Sequence, residues 1–305
     1  MIKVKNLIKN YGDVKAVQSI DFTIDHGEVV GFLGANGAGK STTLKILTGY
    51  LTPTSGDVTI DGYNIQNDSH EIKKIVGYLP ESNPVYHEMY VYDLLKFTAN
   101  IRNIYGNEFK HALDMVVEQC GLKEVVHKRV GECSKGFKQR VGLACAMIHD
   151  PKILILDEPV TGLDPNQIIE IRQLIKKLGK EKLVLMSSHI LQEIEATVNR
   201  IIIIDHGKIV ADGTTKKLMN QFMGNVKLSL EVVGFTESKL TKFQDTFKKA
   251  KVKKLKDYYK VNLEYKKKDD MRLEVFNFIV KNKLSLLEMS THTANLEDIF
   301  RKLTK

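Results

Sequence analysis

A run near the N-terminus combines glycines, a lysine and two hydroxyl side chains. It consists of Gly34, Ala35, Asn36, Gly37, Ala38, Gly39, Lys40, Ser41 and Thr42. The outer glycines and the Lys-Ser pair that follows them have the spacing of a phosphate-binding loop. Glycine lacks a Cβ, so backbone N–H groups can touch phosphate oxygens there. We expect Lys40 to reach the β- and γ-phosphates of a triphosphate and the Ser41 hydroxyl to hold Mg²⁺.

The segments on either side of this loop support the interpretation. Residues 28–33 predict a buried strand, and residues 42–47 predict the first turns of a helix. In that order the positive end of the helix dipole points at a bound phosphate. A glycine-rich turn without a ligand is the alternative, although few chance matches have this structural context.

Two adjacent carboxylates form the second candidate for chemistry. Asp157 and Glu158 follow four apolar residues, 153–156, that predict a buried strand. Ligands bind at the carboxyl ends of parallel strands, where these side chains would lie. We expect Asp157 to help hold Mg²⁺ through water and Glu158 to act as general base toward an attacking water. An acidic turn with no function is the alternative, which the phosphate loop makes less favourable.

The elements that must position these residues alternate between strand and helix patterns, which indicates an α/β domain with a largely parallel sheet. Strands are predicted at 57–60, 75–79, 153–156, 183–186 and 201–204. Helices are predicted at 165–179, with Pro165 suited to the first position after Asp164, and near 190–197. Residues 88–149 have a mainly helical pattern, with Gly106 and Gly121 as breaks, and predict an inserted helical subdomain at about 88–150.

The pattern changes near residue 220, which divides the chain into a domain at 1–220 and an accessory domain at 221–305. Beyond that point the predicted order is strand, helix, hairpin, helix and strand, which fits a small α+β ferredoxin-like domain. These elements are predicted at 226–233, 236–250, 252–265, 269–282 and 284–289, with a closing helix at 295–303.

Composition excludes several classes of protein. The 305 residues are 43% hydrophobic, which is ordinary for a chain with a buried core. No apolar run approaches the roughly 20 residues that a membrane-spanning helix needs, and no signal-peptide pattern opens the chain. We therefore expect a protein that is soluble or peripheral through a partner. The three cysteines lack metal-binding spacing and predict reduced thiols.

Positive charge is concentrated in the accessory domain. Residues 225–305 carry 19 Lys and Arg against 11 Asp and Glu, whereas the remaining 224 residues carry 27 against 26. Such a surface could face anionic lipid or nucleic acid, or could simply be solvated. Because basic residues do not alternate with stacking aromatics, no nucleic-acid partner is expected.

The phosphate loop and the acidic strand, in this order, resemble the nucleotide-binding domain of an ABC transporter. In that family an aromatic residue ahead of the loop stacks on adenine, a position that corresponds to Tyr11, with Val17 available to line the base. A signature segment resembling Leu-Ser-Gly-Gly-Gln reads Cys-Ser-Lys-Gly-Phe here and retains Ser134 and Gly136. Ser134 can cap the helix that starts there, and Gly136 leaves room for a phosphate held by a second copy.

Three further positions follow the resemblance. Asp164 ends a Thr-Gly-Leu-Asp segment similar to the loop through which two copies communicate. His189 occupies the position of the family's switch histidine, which contacts the γ-phosphate. Glu81 stands where the family usually has a glutamine that senses Mg²⁺ and the membrane subunit. A carboxylate there can still approach Mg²⁺ or accept from water, although it cannot donate when ionised.

The resemblance implies an ABC-type cassette with a mixed sheet and an ATPase that uses ATP and Mg²⁺. It further implies an ATP-driven homodimer, or a pair with a related cassette. A separate integral membrane permease would hold the subunit at the cytoplasmic face of the cell membrane. Residues 295–303 also resemble the C-terminal extension of ABC-2-type exporter ATPases, which indicates an exporter.

Two other classes of protein fit the sequence less well. An ABC ATPase that acts on DNA or the ribosome would show a long coiled-coil insertion, zinc cysteines or tandem cassettes, which this sequence lacks. A P-loop kinase or GTPase would not be expected to carry the signature, Asp164 and His189 in register. The guanine-binding Asn-Lys-x-Asp motif is also missing from the sequence.

Overall fold

The computed structural model describes residues 1–222, 226–248, 250–265, 269–292 and 296–304. The chain divides into two compact units, formed mainly by Met1–Thr215 and by Lys216–Lys302. Each unit has its own cluster of buried apolar side chains.

The first unit contains ten strands and most of the helices. Its strands are β1 (Ile2–Tyr11), β2 (Val14–Ile24), β3 (Val29–Leu33), β4 (Ser55–Ile60), β5 (Tyr63–Asn64), β6 (Val76–Leu79), β7 (Ile153–Leu156), β8 (Leu183–Ser188), β9 (Arg200–Asp205) and β10 (Lys208–Thr214). Its helices are α1 (Lys40–Leu47), α2 (Ser69–Ile75), α3 (Val91–Ile101), α4 (Gly106–Gln119), α5 (Lys135–Met147), α6 (Pro165–Leu178) and α7 (Leu191–Glu195). A 3-10 turn spans Val130–Glu132, and α8 (Thr215–Phe222) follows β10.

A six-stranded sheet with the order β10-β9-β3-β8-β7-β6 forms the centre of this unit. Strands β6, β7, β8, β3 and β9 run parallel, and β10 is antiparallel to β9. All four residues of β7 are buried, as expected for a parallel strand that is covered on both faces. The α/β class with a mixed sheet, predicted from the sequence, is confirmed.

A second, antiparallel sheet has the order β2-β1-β4-β5. Phe22 of this sheet packs against Phe32 of β3, with ring centroids 5.8 Å apart. Leu44 of α1 and Ile155 of β7 belong to the same buried cluster. The helix after the phosphate loop is therefore fixed between both sheets, which holds its N-terminus in place.

Polar caps set the start of α5 and α6. The Ser134 hydroxyl accepts from Phe137 N at 3.3 Å and begins α5. The Asp164 carboxylate accepts from Gln167 N at 2.9 Å, and Pro165 occupies the first turn of α6. These contacts satisfy N–H groups that would otherwise have no partner at a helix start.

Boundaries differ from the sequence prediction where the periodic signal is short. Ile75, predicted as the start of a strand, is the last residue of α2, and β6 begins at Val76. Helix α2 buries only Ile72, which is too little for a helical period to be visible. Gly106, predicted as a break, adopts a left-handed conformation at the start of α4. The helix predicted near 190–197 is the shorter α7.

Between α8 and the closing helix, the second unit has the element order βαββαβ that the sequence predicts. It contains β11 (Val226–Val233), α9 (Glu237–Thr246), β12 (Lys251–Lys254), β13 (Tyr259–Tyr265), α10 (Arg272–Lys281), β14 (Ser285–His292) and α11 (Leu296–Leu303). Its sheet has the order β12-β13-β11-β14, and all neighbours are antiparallel. Helix α9 ends before residue 250 because Phe247 turns into the core. Asn295, predicted to open the closing helix, lies outside the described residues.

Burial of His149 predicts a pH-dependent stability. Its Nε2 lies 3.2 Å from the Val76 carbonyl oxygen, and burial, aided by the positive charge of Arg102, lowers its pKa to about 4. The unfolded chain binds this proton more tightly, so the stabilising effect is complete above about pH 6.5 and is lost as pH falls toward 4. As the pH falls from 6.5 to 4, we expect His149→Gln to lose less free energy of unfolding than the wild type, by up to about 3 kcal/mol. Urea denaturation measures this difference. The exposed His111→Gln is the control and should retain the wild-type pH dependence.

Candidate active site

The phosphate loop lies between β3 and α1, as predicted. Gly37 and Gly39 have φ angles of 81° and 107°, a left-handed backbone that favours glycine. The Lys40 side chain is only 6% exposed and lies beneath the loop. Its ammonium donates to the carbonyl oxygens of Gly34 at 2.9 Å and Ala35 at 3.2 Å. These two hydrogen bonds hold the Lys40 side chain and the loop backbone in place before a ligand binds.

The glycines of the loop differ in how closely other residues approach them. A Cβ on Gly39 would lie 2.5 Å from the Ala16 carbonyl oxygen, and one on Gly34 would lie 2.5 Å from the Ile204 carbonyl oxygen. Close packing of neighbouring strands therefore excludes side chains at both ends of the loop. A Cβ on Gly37, by contrast, would have no described atom within 4 Å, so its surroundings leave space for a ligand.

Asp157 and Glu158 lie at the carboxyl end of β7, and both are buried. Glu158 has a φ angle of 51°, a conformation that is uncommon for a residue with a side chain. Its Oε1 lies 3.5 Å from Lys40 Nζ, and its Oε2 lies 2.9 Å from His189 Nδ1. The Thr161 hydroxyl donates to Oε2 at 3.1 Å. The structure therefore brings together the lysine, the second acid and the histidine that the sequence singled out.

These contacts fix the tautomer of His189. A carboxylate can only accept, so the proton of the His189–Glu158 hydrogen bond belongs to Nδ1. Nε2 is then the nitrogen available for a further partner. His189 is half-buried at the end of β8, in contrast to the buried Glu158.

Sequence reasoning missed Ser187, which joins the two acids. Its hydroxyl donates to Asp157 Oδ1 at 2.6 Å and accepts from Glu158 N at 2.9 Å. These bonds hold the left-handed backbone of Glu158. Ser187 lies near the end of β8, the strand next to β7. A hydroxyl residue at the carboxyl end of a neighbouring parallel strand was the sequence feature that could have predicted this contact.

The two residues predicted to contact adenine differ in their exposure to solvent. Tyr11 ends β1, is 47% exposed, and has Lys9 Nζ 5.1 Å from its ring centroid. Val17 is fully buried in the core, and its Cγ2 would lie 3.6 Å from a Cβ on Gly39. In this structure Val17 supports the loop from beneath and has no exposed surface to offer a base, contrary to the expectation that it lines one.

Three more residues were predicted to bind Mg²⁺ or the nucleotide, and they are less buried than Asp157. Ser41 and Thr42 are half-buried in the first turn of α1. Glu81 is exposed beyond β6, whose Leu79 carbonyl accepts from Asp157 N at 2.8 Å. Burial, followed by the negative charges of Asp157 and Glu81 among its neighbours, raises the pKa of Tyr78.

Ser134, Gly136 and Asp164 form a second group. A Cβ on Gly136 would lie 2.6 Å from Gln167 Cδ, so this glycine makes room for a side chain of α6. The first turns of α5 and α6 are therefore packed together. No hydrogen bond or ion pair within the described ranges joins Ser134, Gly136 or Asp164 to the phosphate loop.

Comparison with known proteins identifies the family of this chain. Residues 17–161 match the family model described as "ABC transporter". The bacitracin transport ATP-binding protein BcrA of Bacillus licheniformis is 34% identical, over 99% of this chain and 97% of that protein. The chain belongs to the ATP-binding proteins of ABC transporters. The linearmycin resistance ATP-binding protein LnrL of Bacillus subtilis is 30% identical over 100% of this chain and 98% of that protein.

Solved ABC cassettes share the fold. A structure described as the ATP-binding subunit of an ABC transporter has a TM-score of 0.66 and 30% identity, over 73% of this chain and 93% of the other. The ATP-binding cassette MJ0796, dimeric in a post-hydrolysis state with ADP and Pi, has a TM-score of 0.64 and 26% identity, over 70% and 98%. The chain is an ATP-binding subunit of an ABC transporter and an ATPase. Each helix in the described part of the chain is too short or too polar to span a lipid bilayer.

The residues of this ABC cassette fit a nucleotide with its magnesium ion. Open space at Gly37 and the ammonium of Lys40 suit phosphate oxygens. Within the described part of the chain, no cluster of three or more His, Cys, Asp or Glu could hold a metal alone. Mg²⁺ commonly binds through one or two carboxylates, water and the substrate's phosphates, and the buried Asp157 carboxylate at the end of β7 is a ligand of this kind.

Loss of the Ser187 hydroxyl is expected to disturb both acids of this cassette. Ser187→Ala leaves Glu158 N and Asp157 Oδ1 without their shared partner, so we expect destabilisation by about 1–3 kcal/mol and a lower kcat. Thermal unfolding and phosphate release measure the two effects. The buried neighbour Ser188 bonds Glu193 and Ile190 N instead, so Ser188→Ala is the matched control. Equal losses of kcat in both variants would contradict the role assigned to Ser187.

Proposed function

We propose that this ABC subunit energises export by ATP-driven closure of two cassettes on a separate membrane permease. The observation that carries the proposal is the buried contact of Glu158 with both Lys40 and His189 at the phosphate loop. A base, a phosphate-binding cation and an orienting histidine thus share one site. This is the geometry that hydrolysis of a bound triphosphate requires.

Each residue of the proposed site has a distinct task. Lys40 and the N–H groups of residues 34–42 would bind the phosphates, and Tyr11 would stack on adenine. Ser41, Asp157 and Glu81 would hold Mg²⁺, which neutralises charge on the phosphates when bound. Glu158 accepts a proton from the attacking water, while His189, held through Nδ1, contacts the γ-phosphate through Nε2.

The second group supports a composite site in a dimer. Ser134 and Gly136 stand at the N-terminus of α5, where N–H groups and the helix dipole favour a phosphate. Since they make no bond to the phosphate loop of their own described chain, we propose that they meet the γ-phosphate bound by a second copy. Asp164, which caps the adjacent α6, would transmit the state of one site to the other. Homodimers and pairs with a related cassette both satisfy this geometry.

A groove in the first unit is proposed to receive the permease. It has a volume of about 580 Å³ and is lined from the end of α1, the segment after β6, and helices α3 and α5. Pro80 lines it beside Glu81, so a segment docked there would lie next to a proposed magnesium ligand. We further propose that a permease docked in this groove holds the subunit at the cytoplasmic face of the membrane, and that no nucleic acid is involved.

Affinity purification from detergent-extracted membranes tests this proposal. We expect the tagged full-length chain to recover an integral membrane protein that stimulates its ATPase activity in proteoliposomes. Recovery of ribosomes or DNA, with no membrane protein, would instead establish the alternative class of ABC ATPase. Benzonase treatment is the control that separates direct partners from those held by nucleic acid.

The accessory domain is proposed to begin at residue 221 and to be dispensable for the cassette fold. Separate buried clusters, and a division into compact units after Thr215, support two domains that meet in this region of the sequence. A chain truncated after residue 220 should unfold cooperatively and bind ATP. Aggregation of that truncated chain, together with loss of ATP binding, would show that residues 221–305 complete the cassette.

A further inference from the structure

The positive charge of the accessory domain is concentrated in one short stretch of sequence. Residues 248–268 carry ten lysines and two carboxylates, whereas the rest of residues 225–305 carry nine side chains of each sign. All ten cations of the stretch are lysines, and none is an arginine. The excess charge is therefore a local feature of this domain and not a general property of its surface.

The middle of this stretch, residues 251–260, forms a basic hairpin that consists of β12, a turn and the start of β13. Its five lysines, all of them exposed, are Lys251, Lys253, Lys254, Lys256 and Lys260. Within the described part of the chain, Lys260 alone among the five makes an ion pair, with its Nζ 3.8 Å from Glu231 Oε1. The other four ammonium groups are available to an anionic partner.

Two of these lysines face each other across the hairpin. Lys253 is paired with Lys260 in the register of β12 and β13, and Lys251 is paired with Asn262. Val252, between the two lysines of β12, packs against the core, so the alternation of the strand turns Lys251 and Lys253 to the opposite face of the sheet. Like charges directly opposite in a sheet are destabilising, so an anion bound at this face would relieve the repulsion.

Protection of an edge strand explains only part of this pattern. β12 lies at the edge of its sheet, where lysines discourage pairing with another chain. Lys260, however, is on β13, which has a neighbouring strand on each side, and Lys256 lies in the turn. Edge protection requires neither of these lysines, whereas a shared anionic partner accounts for all of them.

The chemistry of the basic hairpin favours a lipid surface over nucleic acid. Sheets that bind single-stranded RNA stack its bases on exposed aromatic side chains. Tyr258 is half-buried, and the Tyr259 ring packs on Phe235 with centroids 5.4 Å apart. The stretch also lacks arginine, whose planar group suits nucleic-acid phosphates, whereas lysine is a hydrated point charge. An array of such charges matches the headgroups of an anionic bilayer.

We propose that the basic hairpin binds the anionic lipid headgroups of a membrane. Each lysine close to such a surface strengthens binding about fivefold, and salt screens the effect. The result is a reversible electrostatic contact, added to whatever a permease contributes. This contact goes beyond the proposed export function, and the purified protein should make it without a permease or ATP.

Vesicle flotation of the purified full-length chain tests this proposal. Vesicles of equal parts phosphatidylcholine and phosphatidylglycerol should carry the protein upward, whereas vesicles of phosphatidylcholine alone should not. Raising the salt from about 0.1 M to about 1 M shortens the Debye length from about 10 Å to about 3 Å and should release the protein. Failure to float with the anionic vesicles, or flotation that survives about 1 M salt, would overturn the proposal.

Charge reversal locates the contact on the hairpin. A chain that combines Lys251→Glu, Lys253→Glu and Lys256→Glu should bind the anionic vesicles about 100-fold more weakly or less. Its fold should persist, because Lys253→Glu replaces a like-charge pair with an attractive pair to Lys260. Thermal unfolding checks this point, and wild-type binding by the folded triple variant would overturn the proposal.

A second triple variant controls for net charge. Lys239→Glu, Lys242→Glu and Lys281→Glu reverse the same number of charges on α9 and α10 of the same domain, and should cost far less binding. Equal losses in the two variants would overturn the assignment to the hairpin. Binding of polyuridylate in place of the vesicles would overturn the lipid assignment and favour nucleic acid. Because no permease takes part, either failure leaves the export proposal standing.

Discussion

Glu158→Gln is expected to lower ATP hydrolysis by about 10²–10⁴-fold while ATP binding persists, because the amide cannot accept the proton of the attacking water. The substitution preserves shape, so the contacts to Thr161 and the backbone of Glu158 can remain. With hydrolysis blocked, the ATP-bound dimer should accumulate. Phosphate release measures the first effect, and size-exclusion chromatography with light scattering, with and without ATP, measures the second.

A matched control is available for this experiment. Glu193 is also buried, at 5% exposure, but its carboxylate accepts from Ser188 and does not contact Lys40 or His189. Glu193→Gln should therefore retain hydrolysis near the wild-type rate and show no trapped dimer. Normal hydrolysis by Glu158→Gln would place the general base at another residue and remove the central role proposed for Glu158.

The parts of the site that are contiguous in sequence could be predicted. The phosphate loop and the Asp157–Glu158 pair each carry their own spacing, and the strand ahead of each is marked by apolar residues. Parallel strands place their carboxyl ends at one edge, so the proximity of these motifs follows from fold class. The prediction succeeded there because local pattern and topology point to the same place.

The parts of the site that depend on tertiary contacts could not be predicted from the sequence. Ser187 joins the acids only because β8 lies beside β7, and a single serine has no distinguishing spacing. The close approach of Gln167 to Gly136, where a Cβ would lie 2.6 Å from Gln167 Cδ, also has no signal in the sequence. Val17 was expected near a base, yet the hairpin of β1 and β2 turns its side chain into the core. The sequence indicates which residue types stand at these positions, but the neighbouring strands and helices determine what each side chain contacts.

The contact between Lys40 and Glu158 links binding to catalysis. At 3.5 Å in a buried site, the ammonium and the carboxylate reduce one another's desolvation cost before nucleotide arrives. Phosphate oxygens would compete for the same ammonium and leave Glu158 more available to water. On this reasoning, removal of Lys40 affects nucleotide affinity first and the stability of the site second.

Lys40→Met is therefore expected to weaken ATP binding by about 100-fold or more, since charge-assisted hydrogen bonds contribute about 1.5–3 kcal/mol each. Isothermal titration with ATP and Mg²⁺ measures the affinity. Lys45→Met is the control, because Lys45 lies in the last turn of the same helix and makes no side-chain contact with the loop carbonyls. Since Lys40→Met also leaves Glu158 buried without its cation, the melting temperature should fall, and Lys40→Met with Glu158→Gln should recover part of it. Wild-type affinity in Lys40→Met would show that the backbone of the loop binds the triphosphate without the lysine.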